Sequence, residues 1–410
     1  MKKTLLALSL LLLCVGVSAQ SQMRLWQGEE STRINLTDAE NIVFDNSGSI
    51  VIIAGTVYQT SEIDSLTLIH QVAIDFSEGN ATFNIPAAVD ADIKVEANGA
   101  HVTVTNTNVS NEVEFVLSGT STDGSFTYNG SYKTSIRLKG LNLTSKRGAA
   151  LDIQCGKRIA LILEDGTENT LIDNAQGEQK ACLYCKGHME VEGSGTLKVT
   201  GNLTHAIKTK EYLQLKKSTG TIIIDKAAGD AIHVGQYYQQ SGGTVNITST
   251  TQGDGIQVEI LTLDDDVTPD PDKEFNGQAF IKGGTLNIDV THEDCEALKA
   301  DNFITVSGGT FVINATGNGS RGLQTDGSMI IGEEDNATNM TIMATGGLCT
   351  NEDHEDDPHR CMGIKVDGDL TINAGTITVK ATGSKGRSIK VGGTYTKNGG
   401  SVSVSPGIKN

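Results

Sequence analysis

The sequence predicts an all-β protein, a right-handed parallel β-helix with a small N-terminal β segment, and three observations carry that prediction. First, a phrase seen at Gly229-Asp230-Ala231-Ile232-His233-Val234 returns down the chain. Its central hydrophobic residue falls at Leu183, Ile207, Ile232, Ile256, Leu298, Leu323, Ile364 and Ile389, at spacings of 24, 25, 24, 42, 25, 41 and 25. The two long intervals read as ordinary units carrying an insertion, and self-similarity at this period marks a solenoid. Second, Gly-Thr phrases run in phase with the first at Gly195, Gly220, Gly243, Gly284, Gly309 and Gly375. Each opens a short run of alternating apolar and polar residues, rich in β-branched side chains, which favours strand over helix. Third, the units lack the helix and the Leu-x-x-Leu-x-Leu frame of leucine-rich repeats, so one β-helical rung per unit is the better fit. Handedness follows from the general rule for parallel crossovers. Rungs stack about 4.8 Å apart, so equivalent positions of successive units become straight rows.

Residues 1 to 19 combine Lys2 and Lys3 with an apolar run from Leu5 to Val17 and small residues before Gln20. This reads as a secretory signal peptide, since the run is too short to span a bilayer. The chain is therefore expected to be exported, to the periplasm, the cell surface or the medium, and to be a monomer. Residues 20 to 76 hold short strands with polar turns and a Trp26-containing phrase. This stretch resembles a small leader segment of exported Bacteroidetes proteins and is expected to cap the open end of the solenoid. Residues 77 to 410 are expected to form the solenoid. A net charge of -18 argues against nucleic acid and anionic membranes as partners.

Apart from Cys14 in the signal segment, six cysteines remain, Cys155, Cys182, Cys185, Cys295, Cys349 and Cys361. An even number in an oxidising compartment permits disulfides. Cys349 and Cys361 bracket one insertion and are expected to clip it, with Cys155 and Cys182 a second candidate pair. Cys185 lies two residues beyond Leu183 and is expected to be a buried thiol. The insertions are acidic, Asp264 to Asp272 and Asn351 to His359. The first lacks the spacing of a calcium-binding loop and reads as a solvated acidic segment. The second adds His354 and His359, which admits a transition metal.

Two rows bear on function. Two residues before each core position stand His205, Asp230, Asp254, Glu296, Arg321, Met362 and Arg387. Glycines beside Asp230 and Asp254 suggest a turn that exposes this row. Asp230, Asp254 and Glu296 would then follow one another about 5 Å apart, close enough to share a calcium ion; the alternative is ordinary turn chemistry. One residue after each core position stand Lys208, His233, Gln257, Lys299, Gln324, Lys365 and Lys390. Alternation points them outward, where Lys208, His233, Lys299, Lys365 and Lys390 would offer one donor per rung to a linear, anionic sugar chain. The alternative is a solvated face whose lysines offset nearby acids. A third row, Glu259, Asp301, Asp326 and Asp367, reads as turn residues. Aromatic platforms are few, with Tyr184, Tyr212, Tyr237 and Tyr238 the candidates.

The runs Ser135 to Thr144, Gly148 to Ile153 and Ile162 to Leu171, followed by Gly253-Asp254-Gly255-Ile256 and the Gly-Thr strands, resemble the clostridial cellulose- and pectin-binding β-helix family over about residues 100 to 404. That resemblance implies a pectate-lyase-like fold, calcium, and attachment to acidic polysaccharides such as polygalacturonate. The chain keeps the family's Asp-Gly-Ile at Asp254 and nearly at Asp230, but has His205, Glu296 and Arg321 elsewhere. A lyase would need clustered carboxylates with an Arg or Lys base, and Arg321 beside Glu296 and Lys299 supplies those types. The polygalacturonase signatures are incomplete, Gly187-His188-Met189 breaking one of them. A calcium-assisted carbohydrate-binding protein is the leading expectation, with a polysaccharide lyase and a surface adhesin as alternatives.

Overall fold

The computed structural model describes residues 21–27, 30–35, 42–53, 55–177, 179, 181–248, 252–263, 267–333, 337–350 and 358–409. The signal segment, Asp264 to Asp266 and the His354 stretch lie outside the described residues. Within them the prediction of a parallel β-solenoid holds.

Each unit contributes three short strands, as in Ile232–Val234, Tyr237–Gln240 and Thr244–Ile247. Each strand pairs in parallel with its counterpart in the next unit, giving three faces around one core. The repeated phrase builds the first face, which runs from Ala100–Asn106 to Arg387–Val391 and is called here the motif sheet. The second and third faces share the long strands Val113–Ser121 and Thr134–Thr144 and separate after Thr134–Thr144. From it one ladder continues to Ile159–Leu163 and the other to Glu168–Ile172. Antiparallel pairing of Ile93–Asn98 with Ala100–Asn106 closes one end of the motif sheet. At the other end Val391 N–H donates to the Lys409 carbonyl at 3.0 Å, so the C-terminal segment covers the last edge.

The core positions read from the sequence stack in register, Leu183 on Ile207, Ile207 on Ile232, Ile232 on Ile256 and so on to Ile389. All are buried. Bulky side chains can stack at this spacing because the turns permit close approach. A column of turn glycines shows this: a Cβ on Gly346 would overlap the Gly317 carbonyl oxygen, and one on Gly383 the Gly346 carbonyl oxygen. Only glycine lets these backbones meet.

The N-terminal segment joins the stack. Ser21–Gln27 pairs antiparallel with both Glu30–Asn35 and the first half of Ser65–Ser77. The second half of that strand pairs in parallel with Val113–Ser121. Charge fixes the junction: buried Glu114 is held by Arg33, by Arg137 Nε at 2.8 Å and by Gln71 Nε2 at 2.8 Å. Burial works to raise the Glu114 carboxyl, but the two guanidinium groups outweigh it and hold it below its usual range.

The cysteines correct one expectation. All six are buried free thiols. Leu348–Cys349 pairs antiparallel with His359–Arg360, which sets Cys349 opposite His359 rather than Cys361. The Cys361 thiol turns instead to the Ala315 carbonyl at 3.4 Å. Cys155 likewise turns to the Tyr132 carbonyl at 3.5 Å, away from Cys182. Cys185 is the buried thiol expected, and burial pushes it up to about 12.

Candidate functional site

The motif sheet positions the candidate site through a corner that strict alternation does not anticipate. Just before each core residue stands a small, inward-facing one: Cys182, Ala206, Ala231, Gly255, Ala297, Gly322, Gly363 and Ser388. Space there is limited, since a Cβ on Gly255 would lie 2.5 Å from the Ala297 carbonyl oxygen. With two consecutive residues facing the core, the residue before them is turned back to the outer surface. The row of His205, Asp230, Asp254 and Glu296 therefore shares one face with the row that follows the core, and the two rows interact.

The acidic row forms a ladder. Asp254 N–H donates to Asp230 Oδ1 at 2.8 Å, and Glu296 N–H donates to Asp254 Oδ1 at 2.7 Å. Asp230 N–H similarly donates to His205 Nδ1 at 3.1 Å. Each side chain thus satisfies a backbone donor of the next rung, which is the turn chemistry weighed above. Arg321 ends the ladder, because a guanidinium cannot accept. It pairs with Glu296 and, at 3.3 Å, with Asp294. The row was expected to be exposed, and here the structure differs: Asp254 is 7 % and Glu296 4 % exposed. Neighbouring rungs and the adjacent row cover them.

The three acids expected to share one cation divide into two groups. Asp230 Oδ2 lies 2.8 Å from His233 Nδ1 and 3.2 Å from His205 Nδ1, so Asp230 is committed to the histidines. The two imidazoles and the Asp254 N–H overcome the effect of burial and hold Asp230 well below the usual carboxylate range. Asp254 and Glu296 form the second group. Burial, then the Glu296 and Asp230 charges, push the Asp254 carboxyl well above its ordinary value. Two contacting buried carboxylates need a proton or a cation between them. The donor chemistry at Asp254 and Glu296 therefore fits a hard cation, with Arg321 and the half-buried Lys299 as competing neutralisers.

A carboxyl raised in the folded state favours folding while protonated, and that contribution is lost as pH rises through the folded value. Asp254→Asn keeps the oxygen that accepts the Glu296 N–H and removes the charge. In chelator at pH 8 the variant is expected to melt at or above the parent temperature, and the difference should vanish at pH 3, as thermal unfolding at the two pH values would show.

The row after the core position is in register throughout, Tyr184 beside Lys208, then His233, Gln257, Lys299, Gln324, Lys365 and Lys390. The four lysines are half-buried, while His233, Gln257 and Gln324 are buried between their neighbours. Lys365 Nζ lies 2.8 Å from Asp367 Oδ2. His233 was expected to offer a donor to sugar, but both its ring nitrogens are engaged, Nδ1 by Asp230 and Nε2 by Glu259 at 3.1 Å. Glu259 had been read as a turn residue. Tyr184 had been read as one of a few candidate aromatic platforms. Its position one residue after Leu183 was the signal that it heads this row.

The other aromatics are consumed by one another. Tyr212 and Tyr237 stack at 4.8 Å, with His188 beyond Tyr212 at 4.4 Å and Phe275 edge-on to Tyr237 at 5.8 Å. Tyr238 is fully buried in the core. Two hollows lie off the row face. One, of about 550 Å³, sits where the N-terminal segment meets the solenoid, and its Arg33 and Arg137 are already paired with acids. The other, of about 600 Å³, lies against the first insertion between Lys210, Glu211 and Lys273.

A parallel β-solenoid displaying continuous polar rows along one sheet defines an elongated surface rather than a pocket. The model of the family described as "Carbohydrate-binding domain-containing protein" matches residues 98–409, and the chain belongs to that family. A relative of the same description from Acetivibrio thermocellus is 25% identical over 118 residues, 26% of this chain and 41% of the relative. The match thus spans less than half of that relative's length. A solved structure described as the polysaccharide lyase-like protein from C. thermocellum, in a gadolinium derivative, superposes with a TM-score of 0.52 at 22% identity, covering 65% of this chain and 99% of that one. That likeness shows the shared fold. Among the described residues no helix is long and apolar enough to cross a membrane.

Proposed function

We propose that this is an exported protein that binds acidic polysaccharide along the outer face of the motif sheet, with calcium assisting at Asp254 and Glu296. The observation that carries the reading is the in-register row of Tyr184, Lys208, Lys299, Lys365 and Lys390 on a chain of the carbohydrate-binding family. Lysines repeating along a rigid axis match the carboxylates of a uronic acid polymer, and Tyr184 offers a ring to a sugar face. Asp254 and Glu296 supply the hard oxygen donors that calcium takes, and calcium would neutralise the pair while bridging to a sugar carboxylate. Neutral, flat cellulose fits less well, because the aromatic faces of Tyr212 and Tyr237 are covered.

Affinity electrophoresis through gels containing polygalacturonate, its methyl ester or a neutral glucan tests this reading. Retardation by polygalacturonate alone supports it, and equal retardation by the neutral glucan overturns it. The lyase alternative draws on the name of the structural relative and on Arg321 and Lys299 beside Glu296. Arg321 is held in two ion pairs, and the carboxylates around Lys299 outweigh its burial and favour its ammonium form, so neither is a ready base. Release of ultraviolet-absorbing unsaturated uronides from polygalacturonate would establish that alternative.

A further inference from the structure

We infer that His205, Asp230 and His233 form a site for a divalent transition metal of the zinc class, clamping adjacent rungs of the motif sheet. The two imidazoles come from different rows of neighbouring rungs and meet because the corner turns both rows onto one face. Their ring centroids are 4.5 Å apart, and one donor atom from each of the three residues lies within 4.8 Å of the others. Asp230 Oδ2 stands 3.2 Å and 2.8 Å from the two Nδ1 atoms, so modest spreading of the three donors would admit an ion at ordinary zinc distances of about 2.0–2.1 Å.

Two hydrogen bonds fix which ring nitrogens can serve as donors to an ion. Nδ1 of His205 accepts the Asp230 N–H at 3.1 Å, so this nitrogen carries a lone pair and no proton, and a bound ion would take that lone pair in place of the N–H. Glu259 accepts from His233 Nε2 at 3.1 Å, which orients the ring and leaves Nδ1 to face Asp230. A carboxylate behind a ligating histidine is the usual outer support of such a site. The second Asp230 oxygen is fixed by the Asp254 N–H at 2.8 Å, so Asp230 presents one oxygen only. All three side chains are largely buried, which lowers the cost of ordering them. Two imidazoles and one carboxylate suit zinc or its neighbours in the transition series, whereas calcium takes oxygen alone. Three protein donors leave a position for water.

The test is Co2+ and Zn2+ titration of the chain from Gln20 onward, stripped with chelator and carrying no polyhistidine tag. One equivalent of Co2+ should give visible d–d bands without a thiolate charge-transfer band, and Zn2+ should displace it. His205→Ala and His233→Ala should each abolish this uptake while retaining the far-ultraviolet circular dichroism of the parent. Glu259→Gln, which keeps all three donors, should weaken it about 10- to 100-fold. Asp254→Asn should leave it unchanged, which separates this site from calcium. Absence of stoichiometric Co2+ uptake by the parent, or uptake undiminished in folded His205→Ala and His233→Ala, would overturn the inference.

Discussion

Arg321→Ala is expected to lower stability by about 3–5 kcal/mol, the scale of removing one partner from a buried ion pair. The Arg321 and Glu296 side chains are 7% and 6% exposed, and Asp294 shares the same guanidinium. Removing the arginine leaves Glu296 beside Asp254 with no guanidinium to balance them, in surroundings already poor in water. The cost comes from the charge left behind, more than from a favourable pair lost. Arg321→Met combined with Glu296→Met should therefore recover most of the stability, because it removes both charges and keeps apolar volume. Urea unfolding of parent, single and double variants measures this. A double variant less stable than the single would contradict it.

Leu298→Ala is expected to cost about 2–5 kcal/mol, the range for truncating a buried leucine. Leu298 is fully buried in the core column between Ile256 and Leu323. The stacked strands around it cannot collapse into the space, since their separation is fixed by backbone hydrogen bonds along the solenoid. Because each rung contacts only its neighbours, the damage should be local. Hydrogen exchange should accelerate in Ile256–Val258, Glu296–Ala300 and Arg321–Thr325 well before it does in Gly124–Gly130.

The same column explains what the sequence made legible. Leu183 to Ile389 could be aligned because every rung needs one large apolar residue at one place, so the period is written in the chain itself. The rows that follow from it could be read for the same reason, Lys299 and Lys365 among them. The fate of Asp230 could not be read so simply. It depends on the small residue Ala231 facing the core together with Ile232, which turns Asp230 outward against His233. The meeting of His205 with His233 was hidden further, because the two belong to different rows and come together only diagonally across rungs. Cysteine pairing failed as an expectation for a related reason. Counting residues placed Cys349 and Cys361 at the two ends of an insertion, whereas strand register set Cys349 opposite His359. Spacing along a chain reports rows faithfully in a solenoid and reports little about loops that leave it.

The proposed polysaccharide surface is the outer face of the motif sheet. The most direct measurement is titration of polygalacturonate, in calcium, into the parent and into the triple variant Lys299→Ala, Lys365→Ala, Lys390→Ala. These side chains are half-buried on the outer face. At least a tenfold loss of affinity is expected, about 1.4 kcal/mol or more, with the far-ultraviolet circular dichroism of the parent retained. Equal affinity of the two proteins would contradict it and move the binding surface elsewhere on the solenoid.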